Sequence, residues 1–222
     1  MRTGIILLLL CLAALISAGL TIIGYTLRPP RRTFIYICKP LTTILIILAA
    51  IVPGTSLSVF YARAIGVGLL FSLIGDIWEM LSRRHFLKAL ICFLMTHICY
   101  MLAFLTEKPK FQFLWTAIPL GLIAAVILAY LWQALSAGMK AAVGVYVGVI
   151  VVMVTLAAGR ALAYPSPGTL MAAIGALLFL ASDAVLAVNR FRRPFRAAQA
   201  VILGTYFTGQ LLIALSIGFP AE

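Results

Sequence analysis

Acidic residues are scarce in this chain: five in 222, against 17 lysines and arginines. Histidine is scarcer still, with two copies, so a His-rich zinc hydrolase site is not expected. The four cysteines (Cys11, Cys38, Cys92 and Cys99) all fall inside apolar stretches and form no C-x-x-C. They read as small packing residues rather than metal ligands or a disulfide framework. Neither a Gly-rich phosphate loop nor a nucleophile elbow nor a Cys/His pairing occurs. No metal or cofactor is expected, and any enzyme chemistry here has to run through carboxylates.

What the chain has in abundance is apolar surface. It is 64% hydrophobic with a mean hydropathy of +1.17, well above the roughly 45–50% apolar share of soluble domains. Stretches of about 20 apolar residues, enough for a ~30 Å hydrocarbon core, recur from end to end. The predicted spans are 4–27, 33–52, 58–81, 86–105, 112–135, 138–159, 167–189 and 196–219. This is an all-α polytopic membrane protein with eight transmembrane helices, a single domain over 1–222 whose short loops leave no room for a soluble one. The first span resembles a signal peptide in Arg2, the run Ile5 to Ile16 and the small residues Ser17-Ala18-Gly19. Its apolar stretch continues to Leu27 before Arg28-Pro29-Pro30-Arg31-Arg32, so a retained helix is expected.

A net charge of +12 can indicate nucleic-acid binding, but its distribution indicates orientation instead. With loops alternating sides, one side and its flanks carry Arg28, Arg31, Arg32, Lys39, Arg83, Arg84, Lys88, Lys140, Arg190, Arg192, Arg193 and Arg196. The other carries Arg2, Arg63, Lys108, Lys110 and Arg160. By the positive-inside rule the first group is cytoplasmic and both termini lie outside, in what reads as a bacterial inner membrane. Anionic membrane lipids are the expected partners of the basic loops, and nucleic acid is not.

The two halves echo one another. Leu69-Leu70-Phe71 before Gly75-Asp76 parallels Leu177-Leu178-Phe179 before Ser182-Asp183. Beyond the aspartates, Arg84, Phe86, Ala89, Thr96 and Leu102 match Arg193, Phe195, Ala198, Thr205 and Leu211 at a constant offset of 109. Two four-helix repeats, 1–107 and 108–222, are expected, parallel because an even helix count returns each half to its starting side. Leu and Ala matches are cheap between apolar sequences, so coincidence is the competing explanation.

Asp76 and Asp183 are the leading candidates for function, because a carboxylate at membrane depth is costly. Each lies seven residues before an arginine (Arg83, Arg190), about 10 Å inside the same end. Lys39, before Pro40, falls at similar depth; it can hold a phosphate or tune a carboxylate, or simply snorkel its amine to the interface. Gly75 lets a neighbouring helix come close, while Ser72 and Glu79 share the face of Asp76. Glu79 lies nearer the boundary, where it reaches water or pairs with Arg83. Thr96, His97 and Tyr100 on the fourth span and Tyr206 and Gln210 on the eighth can line the same cavity and orient a polar headgroup, or serve as interhelical hydrogen bonds. Glu107, in a loop, and Glu222, near the end of the sequence, suggest no chemistry.

The run GLLFSLIGDIWEML with HICYMLAF after it, and LLFLASDAVLAVNRF followed by TYFTGQLLIA, resemble the YhhN-like lysoplasmalogenase family of integral membrane proteins. The Lys39-Pro40 start of the second span is similar too, whereas Glu79 stands where an apolar residue is expected. The resemblance implies hydrolysis of the vinyl-ether bond of lysoplasmalogens, with Asp76 and Asp183 catalytic and Lys39, Glu79, His97, Tyr100, Tyr206 and Gln210 around the lysophospholipid. Protonating the vinyl-ether β-carbon gives an oxocarbenium ion that water captures, work that two carboxyls in different protonation states can share. A small proton-coupled transporter or a lipid-binding membrane protein is the alternative, since parallel repeats and buried polar groups suit those as well.

Overall fold

The computed structural model describes residues 2–27, 29–52, 59–81, 83–106 and 113–219. Arg28, Glu107, Lys108, Lys110, Glu222 and the side chain of Arg83, with its expected pairing to Glu79, lie outside the described part. Among the described residues eight helices are long and apolar enough to cross a membrane. They are α1 (Arg2–Thr26), α2 (Arg32–Ile51), α3 (Val59–Leu81), α4 (Phe86–Phe104), α5 (Phe113–Trp132), α6 (Ala137–Ala163), α7 (Pro167–Phe191) and α8 (Ala198–Leu215). Single 3-10 turns follow α3 at Arg83–His85 and α8 at Ser216–Gly218.

The polarity of the molecule is inverted relative to a soluble bundle. Large apolar side chains such as Ile16, Leu122, Val126 and Trp115 are more than half exposed, while Lys39, Thr43, Ser72, Asp76, Thr96, His97 and Gln210 are buried. Lipid is as apolar as leucine, so burying leucine gains little there. Packing and hydrogen bonds between helices hold such a bundle together instead. The protein is an integral membrane protein on these grounds.

Small residues set the helix contacts. The inner stripe of α1 is Ala14, Ser17, Ala18, Thr21 and Gly24, at helical spacing. It lets α1 settle against α2 and α8, where the Ser17 hydroxyl donates to the Cys38 carbonyl at 2.9 Å. Helices α7 and α8 come close together at Gly175 and Gly209. A Cβ on either would stand 2.7 Å from the other's carbonyl oxygen. On α3, Gly75 makes the space into which the Phe93 ring of α4 packs, as expected of it. Helix α7 starts sharply because Ser166 and Thr169 form a reciprocal capping box with Pro167 in the first turn. Helix α5 lies outermost, packed mainly on α6.

The expected end of the sixth span is wrong. The sixth span continues past 159 to Ala163, so Arg160 is no loop charge. It is buried, with its guanidinium over the Tyr61 ring at 4.7 Å from the centroid. An arginine near a helix end reads as a boundary residue, but here an aromatic face supplies a cation–π partner inside the bundle.

The glycine contact is testable in detergent-purified protein. Gly209→Leu should lower stability by about 1–3 kcal/mol through overpacking. Gly204→Leu, where an added Cβ meets nothing within 4 Å, should stay within about 0.5 kcal/mol. Equal thermal midpoints for the two variants would refute the close α7–α8 approach.

Candidate active site

Asp76 is completely buried, five residues before the end of α3. Its Oδ2 accepts from the Thr43 hydroxyl at 2.6 Å and from the Tyr206 hydroxyl at 3.1 Å. Lys39 Nζ lies 3.3 Å from Oδ1 and also donates to the Glu79 carboxylate. Lys39 and Thr43 are one turn apart, so a single face of α2 delivers both to Asp76. Behind Asp76 runs a one-way chain of hydrogen bonds. Tyr100 donates to Gln210 Oε1 at 2.5 Å, and the Gln210 amide donates to Ser72 Oγ. Ser72 meets the Tyr206 hydroxyl at 2.8 Å, and Tyr206 ends the chain on Asp76.

Asp183 has different company. Its Oδ2 accepts from the Tyr146 hydroxyl of α6 at 2.7 Å, and His97 Nε2 stands 3.5 Å away. Neither ring nitrogen of His97 makes a hydrogen bond of ordinary length, and the ring packs edge-on against Phe179 and Tyr146 at 4.6 and 5.1 Å between centroids. Ser182, next to Asp183 in sequence, donates to the Ile202 carbonyl at 2.9 Å. Asp76 therefore has an ammonium beside it, whereas Asp183 has a phenol and an imidazole.

Both carboxyls line one narrow cavity, together with Lys39, Glu79, Phe93, Ser182, Leu186 and Tyr206. Toward the arginine-rich end this cavity meets a wider cleft of about 360 Å³, formed where the ends of α1, α3, α4, α7 and α8 converge. Glu79 and Leu186 line both spaces. By the rise along their helices Asp76 and Asp183 lie about 7.5 and about 12 Å inside that end, bracketing the expected depth.

Asp76, Asp183, Lys39, Glu79 and Tyr206 are thus brought to one cavity, with His97 beside Asp183. Tyr100 and Gln210 are brought into contact with the same network but stand behind Asp76, outside the cavity lining. Thr96 is spent within the helix pair, donating to the Gly68 carbonyl at 3.0 Å. Snorkelling of Lys39 is overturned: its side chain is 2% exposed, because two carboxylates hold the amine inside. Thr43 and Tyr146 were not anticipated. The one-turn spacing of Thr43 from Lys39 was a usable signal, but nothing local marks Tyr146, whose partner lies 37 residues away.

A polytopic helical membrane protein with one buried and one partly buried carboxyl on a single cavity is the class that the fold and geometry define. The model of the YhhN family matches residues 34–217, and the chain belongs to that family. It is 34% identical over 185 residues to the human protein named lysoplasmalogenase TMEM86A, covering 81% of this chain and 75% of that one. To the uncharacterized membrane protein YhhN of Escherichia coli O157:H7 it is 30% identical over 208 residues, 93% of this chain and 97% of the other. A Dictyostelium discoideum protein named lysoplasmalogenase homolog is 27% identical over 197 residues, 71% of this chain and 63% of that one. No solved structure matches the chain.

Removing the ammonium tests the charge arrangement. Lys39→Met leaves Asp76 and Glu79 without their cation and should cost about 3–5 kcal/mol. Adding Asp76→Asn to Lys39→Met should recover part of that loss in thermal unfolding. A Lys39→Met protein as stable as the wild type would show that the three groups are not coupled.

Proposed function

We propose that the protein is a lysoplasmalogenase, hydrolysing the vinyl-ether bond of 1-alkenyl lysophospholipids to a fatty aldehyde and a glycerophospho-ethanolamine or -choline. The observation that carries this reading is that Asp76 and Asp183 share one cavity while having different partners. It is supported by the relatives named lysoplasmalogenase.

In this reaction Asp183, with no lysine or arginine within ion-pair distance among the described residues, delivers its proton to the β-carbon of the vinyl ether. The oxocarbenium ion that forms is faced by the Asp76 carboxylate, and negative charge there stabilises it. Water adds to the cation and gives a proton to Asp76. As the hemiacetal collapses, Asp76 returns that proton to the departing glycerol oxygen and Asp183 recovers one from the hemiacetal hydroxyl. One water is consumed and both carboxyls end as they began. Thr43 and Tyr206 position Asp76, with Gln210 and Tyr100 behind them; Tyr146 and His97 do the same for Asp183. The alkenyl tail lies between helices in the hydrocarbon.

In the same reading the arginine-rich end is cytoplasmic, the termini lie outside, and the membrane is a bacterial inner membrane. Lys39 and Arg160, both buried, drop out of the orientation count. The loss is one charge from each side, so the asymmetry stands. The hairpins α3–α4 and α7–α8 are corresponding parts of two duplicated halves, 1–107 and 108–222.

Purified protein should release aldehyde from alkenyl-lysophosphoethanolamine, and Asp76→Asn or Asp183→Asn should reduce kcat by about 10²–10⁴-fold while the protein still elutes as a folded species. Full activity in either variant would end the two-carboxyl mechanism. Wild-type protein that leaves the lipid intact but moves a solute with protons would replace the hydrolase by the transporter. A reporter active only outside the cytoplasm, fused after Phe219, should be active; silence there would reverse the orientation.

A further inference from the structure

The spaces against the two carboxyls are small. The cavity that both line, and a second one lined by Asp183, Glu79 and Tyr146, have volumes of about 20 and 30 Å³. Each has room for a water or two, which the hydrolysis consumes, and neither holds a hydrocarbon chain. The wider cleft has Glu79, Asn189, Arg190 and Gln199 in its lining, a poor match for such a chain. An apolar groove of about 280 Å³ lies between α4 and α6, walled by Leu87, Leu90 and Leu94 on one helix and by Ala142, Val145 and Tyr146 on the other. Leu87 and Val145 are exposed, so the groove opens on the hydrocarbon. Leu90 and Tyr146 also line the second small space, together with Asp183, and the Tyr146 hydroxyl donates to that carboxyl at 2.7 Å. By helix rise, Leu94 and Tyr146 lie about 12 and about 13.5 Å inside the arginine-rich end, level with Asp183. A larger groove of about 550 Å³, between α2 and α3, shares no described residue with the spaces at Asp76 and Asp183.

We infer that the α4–α6 groove is the berth of the alkenyl chain, which passes between Leu90 and Tyr146 to present its vinyl ether to Asp183. This rests on the lysophospholipid reading for the identity of the ligand, while the site itself rests on the lining that the groove shares with the space at Asp183. The order of groups along the substrate agrees with that placement. In a vinyl ether the β-carbon, which Asp183 protonates, carries the chain, whereas the α-carbon carries the glycerol oxygen, which Asp76 serves. The chain therefore has to leave on the Asp183 side, and the space that shares Leu90 and Tyr146 with the groove is lined by Asp183 and not by Asp76. Contacts in the groove are apolar, so affinity should rise with chain length until the groove is filled.

The test uses the full-length protein in detergent. Hydrolysis of hexenyl and hexadecenyl lysophosphoethanolamine gives a ratio of KM for short against long chains. Ala142→Phe fills the groove and should raise KM for the hexadecenyl lipid about tenfold with kcat little changed, which narrows that ratio. Val67→Phe, in the larger groove, should leave the ratio within about twofold of wild type. Because Ala142→Phe can also disturb helix packing, photolabelling of the wild type is the second measurement. The probe is an alkyl-ether lysophosphoethanolamine, which has no vinyl group to protonate, with a diazirine midway along its chain. It should label residues 87–94 or 141–146, and an unlabelled single-chain analogue should displace it better than diacyl phosphatidylethanolamine. An unchanged KM ratio in folded Ala142→Phe protein, or label confined to the α2–α3 groove, overturns the chain site even if hydrolysis is present. Equal displacement by the diacyl lipid overturns it in favour of ordinary bilayer contact. Selective labelling of the α4–α6 groove in a protein that leaves the alkenyl lipid intact keeps the chain site and ends the hydrolase reading.

Discussion

The ammonium of Lys39, held between Asp76 and Glu79, is the interaction on which the rest of the structure depends. Three ionisable groups inside a lipid-embedded bundle are tolerable only if each charge has a partner, because desolvation of an isolated ion costs several kcal/mol. That requirement fixes how α2 must be turned. The face that carries Lys39 also carries Thr43, and once the lysine reaches Asp76 the threonine hydroxyl falls on the same carboxyl. Helices α2 and α3 are therefore locked in rotation and in height by one ion pair and one hydrogen bond. Helix α8 joins them through Tyr206, and α4 joins through the Tyr100–Gln210 contact.

The second carboxyl is held by different means. No lysine or arginine reaches Asp183 among the described ion pairs; a tyrosine of α6 and a histidine of α4 face it instead. The Phe179 ring packs edge-on against both His97, beside Asp183, and Tyr206, which hydrogen-bonds Asp76, so the surroundings of the two carboxyls are linked through one aromatic ring. Two carboxyls with such different partners can hold different protonation states, which is what acid–base chemistry on a neutral ether demands. The wider cleft that shares Glu79 and Leu186 with this cavity adds Asn189, Arg190 and Gln199 to the polar groups at this end of the bundle.

Much of this was legible in the chain. Runs of apolar residues fix the eight spans because hydropathy is a local property and hydrocarbon thickness sets the length. The scarcity of acid made Asp76 and Asp183 conspicuous, and the depth of Lys39 and the shared face of Glu79 placed both near the first aspartate. Arg160 shows where such reading fails. A charge near the end of an apolar run looks solvated, and only the position of Tyr61, about a hundred residues away in sequence, makes its burial tolerable.

What the sequence determined by itself is therefore the solvent of this protein, the count of its helices and the two carboxyls that need explaining. Tertiary structure decided the partners: Lys39 inward to two carboxylates rather than outward to the interface, Tyr146 on Asp183, Gln210 behind Asp76 and Arg190 in the cleft. The reason lies in the membrane. In water a polar–apolar alternation announces which face of a helix points inward, but in lipid both faces are apolar and rotation leaves little trace in the sequence. Helix orientation is then set by close-packed glycines and by a few polar pairs between distant residues, and those exist only once the helices have met.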